Sequence, residues 1–468
     1  MRLLAWYWPG SVFGSATSGT WTALAWDVAH GDFYRPLLGP AGYGGTRYMP
    51  LLFLIHAALI RAHVDPVYGA VAVMQATVVA AAAALYAAMR AAGVPARLAL
   101  PFACTTWATI AYQEYATEIR ADYLAAAFAL TAVAASMRTA RGARSKSDAI
   151  AIAGCVLAGL TKLTTIVVIV PIAVSLALGG RRRAARSALV GVAVCFGAVA
   201  VVVQLLSSGH FLENLRATLT AGMTTADLWR RGIPIFADYL VTDPFVVVPF
   251  AFAVWSAIGA LRRREWPLPL LYWVTVAVVT IVILASRGTA TNHMVEVHLA
   301  STLVAAVALT RLEHEPRLAS AAYLALAAVM AAWSWPAPGM PTTIARLKAR
   351  GVNRRATVAA LRAEYGGTGR YLSLDPIVPI LSGERPRAID AFYLDLFVEG
   401  DTPAGRDLGQ RVGRREFDFI FVSDADWQRN LPVMRLFRTA YVAAAARHPY
   451  VVLVPTPPSA ATSGPSDP

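Results

Sequence analysis

Four short polar stretches hold the residues of this chain that could do chemistry, and each borders an apolar run. The first lies within 20–50. It carries Asp27 and Asp32 among tryptophans and tyrosines and ends in Arg47-Tyr48-Met49-Pro50. Either aspartate could be a general base toward an acceptor hydroxyl. Asp27 equally suits the wet face of a helix, and Asp32 a turn with Gly31. Arg47 and Tyr48 could hold a phosphate or anchor the chain at an interface.

The second stretch, QEYATEIRADY, brings Glu114, Glu118, Arg120 and Asp122 to the start of a long apolar run. Glu118 and Asp122 are four apart, so on a helix they share a face. The third, GLTKLTT, places Lys162 between two apolar runs beside Thr161, Thr164 and Thr165. A lysine there suits a phosphate or pyrophosphate, or snorkels from a hairpin tip. The fourth, SRGTATNHMVEVH, opens another run with Arg287, Asn292, His293, Glu296 and His298. Asn292 and Glu296 fall on one helical face, which could bind substrate. Two histidines and a glutamate at this spacing make a weak metal site, and no metal is expected.

The elements that must position these groups are membrane helices. Of 468 residues, 57% are hydrophobic and 15% charged, against about 25% charged in soluble domains. Apolar runs cover about 49–62, 66–89, 97–112, 119–137, 148–161, 163–179, 187–206, 244–261, 267–285, 296–310 and 318–334. Backbone polar groups cannot go unsatisfied in lipid, so each run reads as helix. Polar and ionisable residues at that depth are costly, which marks them as functional candidates.

The net charge of +14 does not indicate a nucleic-acid partner. Its arginines and lysines cluster in short loops at 138–147, 180–186, 262–266 and 311–317, the mark of a cytoplasmic side. The four polar stretches then face outside. Parity requires that one of 49–62 or 97–112 not span fully. The outer segment 208–243 reads as interfacial helix broken at Pro234. Cys104, Cys155 and Cys195 lie inside apolar runs without CxxC spacing, which indicates inert thiols.

The expected fold is an all-α polytopic membrane domain of about ten or eleven apolar helices, some not fully spanning, followed by a small extracytoplasmic α/β domain. The expected divisions are 1–48, an interfacial segment with the first outer loop; 49–334, the membrane domain; 340–455, the α/β domain; and 456–468, a disordered Pro/Ser/Thr-rich tail. In the α/β domain TGRYLSLD, EFDFIFVS and PYVVLVP read as strands. Helices are expected near 353–364, 388–398, 404–413 and 427–446. Residues 1–19 are too short and too broken by Pro9 and Gly10 to span. Either the chain enters at the membrane surface there, or a first span precedes this sequence.

The order of these features resembles the GT-C membrane glycosyltransferases, in the branch of the aminoarabinose, protein-mannosyl and lipopolysaccharide-type transferases. The resemblance rests on Gly31-x-x-Tyr34, GTRYMPL, IRADYL, LTKLT and the Gly288…Asn292…Glu296 entry. YLSLDP, SGERP and REFDFIFV resemble that group's extracytoplasmic tail domain. It implies transfer of a hexosyl or pentosyl group from a polyprenyl-phosphate donor to a glycan, lipid or protein acceptor outside the cytoplasmic membrane, with no cofactor. It also implies a catalytic acid about fifteen residues before Gly31. That position falls on Ala16-Thr17-Ser18, where no acid stands; Asp27 is the closest. Asp122 and Lys162 match the family's aspartate after the second outer loop and its lysine between spans. Arg47, Tyr48, Glu118, Arg120, Arg287, Asn292, His293 and Glu296 are the expected donor-phosphate or substrate contacts.

Two other functions fit a polytopic chain. A transporter is disfavoured, because no internal repeat or matched pair of broken spans is visible. A silent member of the same fold, binding lipid-linked sugar without transfer, is favoured by the missing acid at 16–18.

Overall fold

The computed structural model describes residues 16–109, 112, 118–140, 145–219, 224–289, 291–312, 354–365 and 370–457. The apolar run at 318–334, Glu114, residues 1–15 and the tail beyond 457 lie outside the described residues. The chain divides into two compact units. The first gathers the described chain up to Thr46, His210–Thr218 and everything from 354 onward; the second holds the rest. The first outer loop thus shares a unit with the C-terminal domain.

The second unit is helical. Among the described residues, four of its helices are long and apolar enough to cross a membrane: Pro66–Ala92, Arg182–Leu206, Phe245–Arg263 and Leu268–Ala285. The protein is an integral membrane protein. Local chemistry sets the ends of the first of these. Asp65 accepts from the Val67 and Tyr68 amides at its start, and Gly93 closes its end at φ +96°. Pro66–Ala92 packs on Asp122–Ala140, which packs on Ser145–Thr161. Small residues permit this closeness. A Cβ on Gly154 would meet the Phe128 carbonyl oxygen at 2.9 Å. Arg182–Leu206 instead leaves Val194, Val201 and Leu205 exposed, a surface suited to lipid.

Both runs singled out as short are short. Pro50–Arg61 has 12 residues and Ala96–Cys104 has 9, continued by a 3-10 turn at Thr105–Trp107. At about 1.5 Å per residue neither helix by itself spans about 30 Å, whereas the parity argument called for only one of the two to fall short. At the expected break near Pro234 the helix changes type without stopping: a π segment, Leu228–Gly232, runs directly into Ile233–Thr242, with Pro234 in the first turn of the latter.

In the first unit, helix Ala16–Ala29 leads to a small hairpin of β1 (Leu38–Gly39) and β2 (Gly42–Tyr43). Gly42 sits at φ +111° with the Arg387 carbonyl where a Cβ would be. Farther on, β3 (Tyr371–Ser373), β4 (Phe419–Ser423), β5 (Tyr441–Arg447) and β6 (Tyr450–Pro455) form a sheet of order β3-β4-β6-β5. β3 and β4 are parallel, and the other pairs antiparallel.

The strand period of two sorts its core. Leu372, Ile420, Val422, Val451 and Leu453 face one cluster with Leu394, Leu408 and Phe437. Tyr371, Phe419, Phe421, Tyr450 and Val452 face another with Val358 and Leu361. β3, β4 and β6 are covered on both faces and read as unbroken apolar runs, whereas the edge strand β5 is mostly exposed.

The helix expected across 427–446 is not one element. Short helices Asp424–Trp427 and Pro432–Arg438 precede β5, which pairs with β6 from Tyr441 to Arg447. Its alanines favour helix, but Tyr441 is buried in the core and β6 offers a ladder of hydrogen bonds. Tertiary pairing overrides propensity there.

Candidate functional site

In the second unit, three polar stretches remote in sequence converge. Asp122 opens helix Asp122–Ala140 and is buried. Its Oδ1 accepts from Lys162 Nζ at 2.7 Å and its Oδ2 from Asn292 Nδ2 at 2.7 Å. Arg120 donates to Glu118 at 2.7 Å and, at 3.4 Å, to the Asn292 oxygen. Lys162 breaks the helix that ends at Thr161. Its backbone is extended, φ −150° and ψ 111°, before a 3-10 stretch over Leu163–Val168. That break turns the ammonium toward Asp122, with its side chain 16% exposed.

Glu296 is tied to the same elements. Thr165, one turn past Lys162, donates to its Oε2 at 3.3 Å, and Tyr272 donates to its Oε1 at 3.0 Å. His293 is half-buried, and its Nδ1 has no hydrogen-bond partner among the described residues. Arg47 donates to the carbonyls of Arg287 at 3.4 Å and Gly288 at 2.6 Å. Tyr48 is half-buried and the Arg287 residue exposed.

Two expected helical faces do not form. Glu118 lies in a bend before the helix that Asp122 begins, so the pair does not share a face. Asn292 belongs to a 3-10 turn, Thr291–His293, and Glu296 to the following helix Met294–Leu312. The turn swings Asn292 to Asp122, while Glu296 reaches Thr165 and Tyr272.

Asp27 belongs to the first unit and has a different environment. It is 3% exposed, not on a wet helix face. Arg35 holds it bidentately, Nε to Oδ2 at 2.8 Å and an Nη to Oδ1 at 2.6 Å. Arg385 Nε adds a third bond, to Oδ1 at 3.1 Å, and also pairs with Asp32. The remaining Arg35 donors go to the carbonyls of Ala41 and Pro386. Both Asp27 oxygens are therefore committed to fixed guanidiniums.

Sequence reasoning missed Tyr272, Arg35 and Arg385, and named Thr165 only as a neighbour of Lys162. Tyr272 carried a signal, a hydroxyl inside an apolar run. The two arginines carried none, because their partner is set by chain closure.

No protein-family model matches the sequence, and no curated protein matches it. Solved structures do. ArnT from Cupriavidus metallidurans bound to undecaprenyl phosphate is similar over 93% of this chain and 93% of its own, with a TM-score of 0.60 and 14% identity. The apo state of that ArnT gives a TM-score of 0.56 at 15% identity, covering 93% of this chain and 92% of that one. The apo Archaeoglobus fulgidus oligosaccharyltransferase gives 0.55 at 12% identity, covering 93% of this chain and 70% of that one.

The chain has the GT-C fold. Within this fold, the Asp122–Lys162–Asn292 group lies where a helix start, a helix break and a 3-10 turn meet. Among the described residues no group of histidine, cysteine and acidic side chains could hold a metal ion.

Proposed function

We infer that the protein is a glycosyltransferase that moves a sugar from a polyprenyl-phosphate donor to an acceptor on the extracytoplasmic side of the cytoplasmic membrane. The observation that carries this reading is the buried Asp122–Lys162–Asn292 group in a GT-C fold, one of whose neighbours, ArnT, was crystallised with undecaprenyl phosphate. The group sits at the opposite helix ends from the basic residues Arg138 and Lys146, in keeping with an outward-facing site.

In this mechanism the Lys162 ammonium meets the departing lipid phosphate and neutralises its charge. As Lys162 moves to the phosphate, Asp122 loses its cation and becomes a base. The acceptor's nucleophilic atom bonds to the anomeric carbon and gives its proton to Asp122. The bond from that carbon to the phosphate oxygen breaks, and its electron pair leaves with the phosphate. Asn292 keeps Asp122 oriented throughout, and Arg47, held by two carbonyls, supplies a second cation for the donor. Glu118, Arg120, His293 and Glu296 shape the rest of the site.

A second reading has a specific observation behind it. Ala16-Thr17-Ser18 supplies no acid, and both oxygens of Asp27 are taken. A protein that binds lipid-linked sugar without transferring it would need neither. Membranes containing the protein, given labelled polyprenyl-phosphate sugars, separate the two. Label passing to a second molecule is expected. Label staying wholly on the donor, with binding retained, would establish the silent alternative.

A further inference from the structure

The first unit holds an open cavity of about 90 Å³ lined by Tyr371, Ser373, Pro379, Glu384, Arg385 and Arg387. That volume is below the range of closed ligand pockets, about 300 Å³ and up, so a sugar bound there rests partly in solvent and is held by the polar groups at the cavity wall. Its construction follows from backbone periodicity. Tyr371 and Ser373 are two apart on β3 and point to one side. The loop after helix Ile377–Leu381 turns at Gly383, φ +73°, and runs through Arg385-Pro386-Arg387. Pro386 is buried and both flanking arginines are exposed.

Charge is unevenly spent around this cavity. Arg362 donates to Glu384 Oε1 at 2.5 Å, and the Tyr371 hydroxyl to Oε2 at 2.7 Å. Arg385 is occupied by Asp27 and Asp32. The Arg387 side chain makes no hydrogen bond or ion pair with any described residue, although Glu384 feels its charge. What remains for a ligand is one guanidinium, able to fork onto a carboxylate or phosphate, and the spare lone pairs of Glu384, able to accept from hydroxyls.

We propose that this cavity binds an anionic saccharide, with the acidic group on Arg387 and ring hydroxyls on Glu384. Its residues belong to the first unit and those of the Asp122 group to the second. Taking the saccharide as part of the acceptor rests on the transferase reading; the binding itself does not.

The test is titration of the purified full-length protein with glucuronate, glucose and inorganic phosphate, followed by calorimetry. Glucuronate should bind, glucose should bind at least ten-fold more weakly, and phosphate should bind more weakly than glucuronate. Arg387→Gln should weaken glucuronate at least ten-fold without moving the unfolding temperature, and Arg387→Lys should restore part of the loss. Asp122→Asn should leave glucuronate binding unchanged, and a wild-type protein that binds glucuronate but transfers no label would retire the transfer reading alone. Equal affinity for glucose and glucuronate, phosphate binding as tightly as the sugar acid, or an Arg387→Gln protein with unaltered affinity would each overturn the proposal.

Discussion

Asp27 and Asp122 are both buried aspartates with a cation against them, yet their surroundings differ in kind. Asp27 is gripped by two guanidiniums, one of them bidentate. Arg35 is buried with it and also donates to two backbone carbonyls. None of these partners can leave without stranding donors. Asp122 is held by one flexible ammonium and one neutral amide, and the ammonium is partly open to solvent. A lysine is a point charge on a mobile stem and can be drawn to another anion, whereas a forked arginine is fixed. The chemistry of the partner, more than the burial of the acid, separates a carboxylate that holds the fold from one that can exchange its counter-ion.

The largest effect should come from breaking the fixed pair. Arg35→Ala leaves a buried carboxylate with one fewer cation, and about 3 kcal/mol or more of stability should be lost, read by denaturant or thermal unfolding in detergent. Asp27→Asn should be destabilised in the same assay, while the molecules that remain folded keep their transfer activity. An Asp27→Asn protein of normal stability and no activity would reverse the distinction drawn between the two acids.

Next in size is Asp122→Asn. Transfer should fall about 100-fold or more, a barrier raised by ~2.7 kcal/mol, with donor still bound. Its unfolding temperature should drop less than that of Asp27→Asn, because Lys162 can turn to water. Lys162→Ala should weaken donor binding about ten-fold, ~1.4 kcal/mol, measured with labelled donor; unchanged binding would remove Lys162 from the phosphate site.

The smallest effect belongs to Glu384 in the first unit. Burial opposes its ionisation, but hydrogen bonds from the Arg362 guanidinium and the Tyr371 hydroxyl outweigh that and hold its carboxyl below the usual value. A lowered folded-state value stabilises the protein above the unfolded-state value of 4.5, and the gain is lost as pH falls through the folded value. Glu384→Gln should therefore cost less than about 1 kcal/mol at neutral pH, as for a partly exposed pair, and nothing in acid below that range. Unfolding curves at the two pH values give the comparison, and a difference that persists in acid would assign the effect to packing.

Much of the architecture was legible in the sequence because it is a local property. An apolar run reports its own burial, a basic loop its own side, and Lys162 among apolar residues its own cost. Strands β3, β4 and β6 showed in the same way. β5 did not, since YVAAAAR has helical composition and becomes a strand through the ladder that β6 offers. The same limit held at the site. Asp122, Lys162 and Asn292 could each be singled out by type and setting, but their meeting joins residues 40 and 170 positions apart. The fate of Asp27 depends on Arg385, 358 positions away. The sequence by itself determined which segments avoid water and which polar groups are out of place among them. Tertiary structure decided which buried charge each of those groups would face, because a counter-ion is chosen by the closure of the chain and not by its neighbours along it.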